Sequence, residues 1–453
     1  MLKTSNILFG ISGLLLVVGS QQAQGGAFAL REQSAFYQGL SFAGYGVQSE
    51  SLSSMFWNPA TIVGREGMQG ESVNTGVFPR ADIDTDYAAY DTPENGFVPL
   101  NNIPGAAAGS AGDVGENAWL GSSYGTYQVN DRIFLGLSVT APFGLATKPN
   151  SEWAGQIYAR SSRVLSVNAT PMIGTAITDY LSVGVGLQVQ YFQVRLKSAF
   201  PPGGEGVLER FVGLEGIRAD AGTAELEGED HNLGFGGTIG VLINPMENLQ
   251  IGVGYRSPIR HELKGHLKKP AFSFFGMEVP AERTPITSTL TLPEQINASF
   301  QYDFLENARI MGTFEWTNWS RFSSFKVYNR VTGEEETELS FFYNDGYYLS
   351  IGGEYDYNGQ FTFRAGVGYE WSPIDDANRS PRLPDTDRVW LSAGLSYNYK
   401  DWLSADIGYS HLFAVGDDKI NINPDSFQYE GVWFEGNVDG AADIISGSIR
   451  IKY

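Results

Sequence analysis

The side chains that usually carry out catalysis are scarce in this 453-residue chain. It has no cysteine and four histidines, His231, His261, His266 and His411. The absence of cysteine excludes thiolate nucleophiles and disulfide frameworks. None of the histidines lies in a recognisable catalytic motif, and Ser410 and His411, as neighbours in a strand, point to opposite faces. We therefore expect no enzyme, no metal and no cofactor, with a hydrolase as a remote alternative.

The charge balance points away from polyanionic partners. Asp and Glu number 51 against 30 Lys and Arg, which gives a net charge of −21. Nucleic acid is excluded as a partner because too little positive charge is available to neutralise phosphates. Acidic runs such as Glu334–Glu336 lack the glycine turn and ligand spacing of a calcium loop, and we interpret them as solvated loops.

The first 25 residues have the pattern of a secretory signal peptide. Lys3 provides the positive charge, an apolar run extends from Ile7 to Val18, and Ala23-Gln24-Gly25 fits a cleavage site. The run is shorter than the roughly 18 residues that a spanning helix needs. A buried N-terminal helix fits less well, because the run ends in polar, glutamine-rich sequence. We predict export, with a mature chain that begins at Gly26.

The rest of the chain alternates with a period of two rather than 3.6. In "FTFRAGVGYEW", Phe361, Phe363 and Val367 share one face, while Thr362 and Arg364 share the other. On the apolar faces, tyrosine and tryptophan gather at the strand ends, as amphipathic rings do at the two interfaces of a bilayer. Alternation also occurs in soluble β-sandwich proteins, so the lengths of the connections must distinguish a β-sandwich from a membrane β-barrel.

Fourteen such strands can be identified. They fall near residues 67–81, 116–129, 131–145, 159–178, 180–197, 231–243, 248–264, 284–304, 307–327, 346–357, 360–371, 388–400, 402–415 and 442–453. Their connections alternate strictly between short turns and long loops, which is typical of bacterial outer-membrane barrels and has no reason to occur in a sandwich. We predict an all-β fold over residues 66–453, a fourteen-stranded antiparallel transmembrane β-barrel in the bacterial outer membrane.

Residues 26–65 precede the first strand and do not alternate. A barrel this wide leaves a lumen that wall side chains cannot fill, so we predict that this segment is an N-terminal hatch that plugs it. In "SSMFWNPATIVG", Asn58 can cap a short helix that starts with Pro59 and Ala60. The alternative, a flexible tail, conflicts with the high aromatic content of the segment.

From Gly26 to Tyr453 the chain resembles the long-chain fatty acid transporter family (FadL, with its aromatic-hydrocarbon relatives of the TodX type). The resemblance depends on "GAFALREQSA", the Asn58-Pro59-Ala60 motif, "FGLAT", "GYRSPIRHELKG", "TLTLPEQINAS", "WTNWSRFSSFK" and the long "FTFRAGVGYEWSPIDDANRSPRLPDTDRVWLSAGLSY". It implies a fourteen-stranded barrel with a hatch, capture of the ligand outside, and lateral escape through a kinked third strand.

The third strand contains candidates for that kink. Proline cannot donate to the ladder, so Pro142 breaks pairing with a neighbour, and Gly144 adds freedom to bend. The resemblance implies that Pro142, Phe143 and Gly144 form a lateral gate. The other interpretation is a bulge without function.

The fifth strand changes its pattern near its extracellular end. Phe192, Val194 and Leu196 continue the lumen face, and Arg195 and Lys197 the outer face, unless a bulge reverses them. An apolar lumen would bind an acyl chain, whereas a bulge would turn the side chain of Arg195 or Lys197 inward, where it could bind a carboxylate. The resemblance implies basic ligand partners here and in the ninth strand, where Lys326 matches. The alternative is that these cations bind lipopolysaccharide phosphates.

Two extracellular loops are unusually apolar. We predict that they form a groove that extracts hydrophobic molecules from water, although they could simply pack together. The groove residues are Val207, Leu208, Phe211 and Val212 in one loop, and Phe272, Phe274, Phe275 and Met277 in the next.

The sequence as a whole predicts a monomeric, passive uptake channel for long-chain fatty acids or other hydrophobic small molecules. It would contact outer-membrane lipid and lipopolysaccharide. Uptake of aromatic or alkane hydrocarbons is the alternative within the same fold, and it would need no carboxylate partner. A general porin is disfavoured by the plug and by the apolar loops.

Overall fold

The computed structural model describes residues 26–92, 96–103, 106–200, 222–228, 232–274 and 277–453. The predicted signal peptide, residues 1–25, lies outside these ranges. Within them, no helix has the length and apolar character needed to cross a membrane.

The described strands form a closed antiparallel barrel of fourteen strands in chain order, which confirms the predicted fold class. Closure occurs where the first strand pairs with the last. The strand bounds are Met68–Thr92, Ala118–Gln128, Ile133–Thr140 with Gly144–Thr147, Ser161–Thr178, Leu181–Phe200, Leu233–Met246, Leu249–Arg256 with Ile259–Lys269, Glu282–Leu292 with Gln295–Leu305, Ala308–Thr317 with Ser324–Asn329, Gly346–Asp356, Phe361–Trp371, Asp387–Lys400, Leu403–Val415 and Val432–Lys452. The third, seventh, eighth and ninth strands are interrupted and therefore have two segments each.

Shorter elements complete the fold. Short strands extend or flank the sheet at Gly96–Pro99, Gly112–Asp113, Gly222–Gly228, Phe272–Phe274, Met277–Val279, Glu335–Ser340 and Lys419–Ile422. The short helices are Ala35–Gln38, Leu52–Phe56, Pro59–Ile62, Leu100–Asn102 and Trp319–Arg321.

The alternating side chains face the predicted sides of the barrel wall, with apolar residues outside and polar residues inside. On the eleventh strand, Phe363 and Val367 are exposed to 49% and 41% on the outside, whereas Thr362 and Arg364 are buried inside. Lipid meets the apolar outer face, and closure of the sheet satisfies the backbone groups that lipid cannot.

The first and last strands are longer than predicted. Their ladder continues from Ala81↔Gly440 to Tyr90↔Val432, through stretches that the sequence analysis assigned to loops. The inner face of this extension is apolar and buried, with Ile83 packed in the same cluster as Val432. Its outer face carries Asp82, whose acidic character led to the loop interpretation. The sheet therefore rises above the membrane on this side.

Residues 26–65 lie inside the barrel, and we call this segment the hatch. Its three short helices contact strands on several sides of the wall, and the aromatic side chains Phe36, Tyr37, Phe42, Tyr45 and Trp57 are almost completely buried. Trp57 stacks on Tyr45 with ring centroids 4.4 Å apart. This packing is what the aromatic composition of the segment demands, because a solvated tail would expose these rings.

Candidate functional site

The Asn58-Pro59-Ala60 motif fastens the hatch to itself and to the wall. Asn58 is the cap of the last hatch helix, and its side-chain oxygen accepts a hydrogen bond from the Ala60 N–H at 3.0 Å. Pro59 follows at the first helical position, where no N–H is needed. The Asn58 amide group also donates to the carbonyl oxygens of Gly46 at 2.7 Å and of Val241, on the sixth strand, at 2.9 Å.

Glycines in the wall allow the hatch backbone to approach closely. A Cβ atom on Gly254 would lie 1.9 Å from the carbonyl oxygen of Trp57, and one on Gly366 would lie 2.1 Å from that of Leu40. Any larger side chain at either position would push the hatch away. The wall is therefore shaped to hold this segment.

Buried charges hold the front of the hatch. Arg31 donates to Glu315 at 2.7 Å and to Glu370 at 3.0 Å, and its guanidinium lies 3.7 Å from the centre of the Tyr348 ring. The backbone N–H of Gly26 donates to the same Glu370 carboxylate at 2.8 Å. All these groups are buried, so loss of one partner would leave an unpaired charge in the lumen.

One hatch carboxylate has no partner. Glu32 is buried, and neither of its carboxylate oxygens accepts a hydrogen bond from a described residue. Burial is the main reason that its pKa is raised from 4.5 to about 7. The nearby Glu370 adds to the rise, whereas the proximity of the residue's own backbone N–H and the charges of Arg31 and Arg388 oppose it.

The wall has a gap between the second and third strands, at the predicted kink residues Pro142, Phe143 and Gly144. Pairing of these two strands ends at Ser123↔Val139. The second strand continues to pair with the first beyond this point. Its other edge is therefore open, and we call the opening the third-strand gap.

The hatch closes the third-strand gap with main-chain hydrogen bonds. Leu30 N–H donates to the Pro142 carbonyl at 2.8 Å, and Gly144 N–H donates to the Phe28 carbonyl at 3.0 Å. The Gln33 side chain spans the two strands, since it accepts from the Ser122 hydroxyl and donates to the Ala141 carbonyl, both at 2.8 Å. Residues 28–33 thus occupy the place of the missing strand partner.

The extracellular half of the lumen contains an apolar cluster that includes three predicted residues, Phe192, Val194 and Leu196. Its members are Ala27, Phe28, Leu145, Val164, Phe192, Val194, Leu196, Leu263, Leu290, Leu292, Trp319, Phe322, Tyr343, Ile374 and Leu383. The fourth and fifth strands keep one register from Ser161↔Lys197 to Ala169↔Val189, so the bulge considered in the sequence analysis is absent.

The three predicted basic partners do not face this cluster. Because the register is continuous, Arg195 and Lys197 point outward, where both bind Glu225, at 2.6 and 3.4 Å. Lys326 lies on the outer face of the ninth strand and pairs with Glu335 at 2.9 Å. Their placement as lumen ligand residues is therefore corrected.

A cavity of about 50 Å³ lies between the hatch and the apolar cluster. Phe56, Phe143 and Leu292 are among its lining residues, and so is the buried guanidinium of Arg256. Arg256 donates to the Phe56 carbonyl at 2.8 Å and to the Gln188 side chain. Among the described carboxylates, none forms an ion pair with it.

Sequence reasoning missed Arg256 although a signal was present. In "LQIGVGYR", Ile251, Val253 and Tyr255 alternate on the outer face, which places Arg256 on the lumen face. A charged residue at a lumen position, two residues before Pro258, was therefore identifiable. The contacts of Phe28 and Gln33 carried no such signal, because they depend on how the hatch folds.

The predicted extracellular groove falls largely outside the described residues. Val207, Leu208, Phe211, Val212 and Phe275 all lie there. Phe272 and Phe274 are in a short strand that pairs with the strand containing Met277. The groove stays a prediction.

Comparisons with known proteins agree with this architecture. The model of the family described as "Outer membrane protein transport protein (OMPP1/FadL/TodX)" matches residues 16–453. The long-chain fatty acid transport protein of Salmonella typhi is 27% identical over 443 residues, which cover 95% of this chain and 97% of that protein.

Solved structures show the same fold. A Pseudomonas aeruginosa FadL homologue has a TM-score of 0.79 at 20% identity and covers 94% of this chain and 99% of its own. The Pseudomonas putida toluene transporter TodX has a TM-score of 0.64 at 14% identity, with 95% and 99% covered. At these identities the likeness concerns the fold alone.

Proposed function

The chain belongs to this family of outer-membrane transport proteins, which are channels rather than enzymes, and on that premise we propose that it takes up long-chain fatty acids. The ligand is captured by the apolar extracellular loops and passes to the lumen cavity. There Arg256 binds the carboxylate while the apolar cluster holds the chain. The ligand then leaves sideways through the third-strand gap.

The observation that supports this proposal best is that Arg256, which forms no ion pair with a described carboxylate, lies beside a large apolar surface. Arg256 is a buried guanidinium with neutral hydrogen-bond partners, beside a cluster of aliphatic and aromatic side chains. Burial of each CH₂ group contributes about 0.8 kcal/mol, so a long acyl chain gains much from this surface. A carboxylate would neutralise the guanidinium in a medium of low dielectric constant.

The position of the hatch supports the proposed lateral route. The hatch fills the bore below the cavity, and the wall glycines hold its backbone in place. The hydrogen bonds from the hatch across the third-strand gap come from residues 28–33. Release of this short segment would open the wall while the rest of the hatch still blocks the axial path.

The test compares Arg256→Met with the outward-facing control Arg195→Met in a transporter-deleted host. We expect R256M to lower uptake of labelled oleate about tenfold or more at limiting concentration, because a hydrogen bond to a charged group contributes about 1.5–3 kcal/mol. Toluene uptake by R256M should be unchanged, which shows that the path is intact. R195M should match the wild type for both solutes.

Equal oleate uptake by R256M and R195M would contradict the role of Arg256. If toluene but not oleate enters through the wild-type protein, the hydrocarbon alternative is the correct one. That alternative needs the apolar cluster and the gap but no carboxylate partner.

The outward-facing cations have a separate role in this proposal. Arg195, Lys197 and Lys326 lie on the outer surface above the membrane-facing part of the barrel. We propose that they contact the phosphate groups of lipopolysaccharide, which would place the barrel at a defined height in the outer leaflet.

A further inference from the structure

The wall has a second gap, between the eighth and ninth strands, which we call the 8–9 gap. Pairing of these strands stops at Gln295↔Thr317 and resumes at Ser288↔Val327. Over the same stretch the eighth strand stays paired with the seventh. It is therefore the ninth strand that leaves the sheet, over residues 318–323, and residues 324–326 pair with the short strand Glu335–Ser340 instead of with the eighth strand.

The displaced part of the ninth strand turns into the lumen. Trp319 and Phe322 are buried there and belong to the apolar cluster. The Phe28 ring lies 4.8 Å from Trp319 and 5.2 Å from Phe322, measured between ring centroids, and 5.9 Å from Phe143 at the third-strand gap. The apolar cluster thus reaches both gaps.

The 8–9 gap contains a cavity of about 130 Å³. Its outer rim is polar, with the hydroxyl groups of Thr289, Thr291 and Ser323 and the guanidinium of Arg321. Its inner side consists of apolar residues, among them Phe322. An opening with a polar rim and an apolar floor matches a molecule with a polar head and an apolar tail.

The lower edge of the 8–9 gap is closed by one main-chain hydrogen bond, from the Asn318 N–H to the Glu294 carbonyl at 3.0 Å, and by side chains. Glu294 accepts two hydrogen bonds from Arg321, both at 2.7 Å, and one from the Asn318 side chain at 2.7 Å. Arg321 is 44% exposed, so this clamp is solvated and weak.

The position of the 8–9 gap indicates that a ligand would enter it from the membrane. Directly below it, Ile296 and Phe314 are exposed on the lipid-facing surface, at 41% and 47%. The gap is therefore continuous with the surface that the outer leaflet covers, and its polar rim is at the level of the headgroups.

We propose that the 8–9 gap is a second lateral opening, through which a single-chain amphiphile in the outer leaflet reaches the apolar cluster. The tail passes Leu290 and Phe322, while the head stays at the hydroxyl rim. This proposal rests on the proposed function for the nature of the cargo, and it adds an inward route that bypasses the extracellular loops.

The natural lack of cysteine makes a reversible block possible. In the double variant Thr291→Cys with Ser323→Cys, a short bifunctional methanethiosulfonate would join the two sides of the gap. The matched control is Ala298→Cys with Phe314→Cys, which joins the same two strands where they are paired. Normal oleate uptake before cross-linking shows that each variant is folded.

We expect the cross-link across the gap to at least halve oleate uptake, and a reductant to restore it, while the control cross-link has no effect. Unchanged uptake with the gap closed would overturn the proposal even if R256M confirms the fatty-acid function.

If oleate is not the transported ligand, a binding measurement tests whether an amphiphile enters the 8–9 gap. A photoreactive stearate analogue in the outer leaflet should label residues 289–294 and 318–326, and the gap cross-link should abolish this labelling. Labelling confined to the paired wall, or labelling that the cross-link does not change, would contradict the second opening.

Discussion

The two gaps in the barrel wall are closed in different ways. At the third-strand gap the hatch main chain supplies the missing hydrogen bonds, through the Pro142 and Phe28 carbonyls. At the 8–9 gap the closure is made by the wall itself, through one main-chain hydrogen bond from Asn318 to Glu294 and the side chains of Glu294 and Arg321. The first gap opens when the hatch moves, whereas the second can widen above this hydrogen bond by rotation of wall side chains.

This difference gives the two gaps different relations to the hatch. The third-strand gap is tied to a buried segment that is held by ion pairs, so its opening is coupled to events in the lumen. The 8–9 gap is held by a solvated clamp and meets the hatch through ring contacts of Phe28 rather than through ion pairs, so its coupling to the lumen is weaker. We infer that a ligand can reach the apolar cluster easily but leaves it only when the hatch yields.

The largest effect is expected from Arg31→Met. Removing one partner of a buried ion pair costs about 3–5 kcal/mol, and here Glu315 would lose its ion pair while Glu370 would keep only its pair with Arg388 among the described residues. Hydrogen exchange should therefore rise strongly in peptides from residues 26–65, but not in the eighth and ninth strands. Arg80→Met, which removes an exposed pair with Asp82, is the control and should change nothing. Unaltered exchange in the hatch would mean that Arg31 does not hold it.

The next effect is a pH dependence that involves only the hatch. Glu32 has a pKa of about 7 in the closed hatch against 4.5 when released, so the closed form binds the proton more tightly. Its contribution to hatch stability is complete below pH 4.5 and is lost as the pH rises through about 7, a difference of about 3 kcal/mol.

Hydrogen exchange of the hatch should accordingly speed up between pH 4.5 and pH 7, after correction for intrinsic rates, and Glu32→Gln should remove this dependence. The exposed Glu66→Gln variant should keep it. Arg31, Glu370 and Arg388 face Glu32, so their variants should shift the midpoint. Equal profiles for E32Q and the wild type would exclude Glu32 as the titrating group.

A smaller effect is expected from Asn58→Ala. Loss of a helix cap costs about 0.5–2 kcal/mol, and the bonds to Gly46 and Val241 are lost as well. Exchange should rise around residues 58–63 more than around residues 28–33. The reverse order would show that the motif acts on the third-strand gap directly.

The smallest effect is expected from Glu294→Gln. The clamp with Arg321 is solvated, so its loss should cost about 1 kcal/mol or less. Labelling of the 8–9 gap by the stearate analogue should increase modestly, while hatch exchange stays constant. A change in the hatch would show that the two gaps are coupled, contrary to the comparison above.

Much of the fold could be predicted because lipid imposes a strict pattern. Alternation placed Phe192, Val194 and Leu196 on the lumen side, where they lie. The same parity rule placed Arg195 outside, but a possible bulge left its direction open. Only the register between neighbouring strands resolves this, and register depends on contacts that are distant in sequence.

The two gaps show where prediction from sequence stops. Pro142 marked the third-strand interruption, since proline removes a ladder donor. The ninth strand has no proline in "WTNWSRFSSFK", and its aromatic residues are typical of a strand. Its departure from the sheet is explained by packing of Trp319 against Phe28, a contact that requires the folded hatch.

A reversible disulfide between Ala29 and Phe143 tests the central claim most directly. These residues are partners in the isolated bridge between the hatch and the third strand, so Ala29→Cys with Phe143→Cys would lock the hatch over the gap. We predict that oxidation abolishes oleate uptake and that reduction restores it, with the barrel intact throughout. Full uptake in the oxidised state would contradict lateral passage through the third-strand gap.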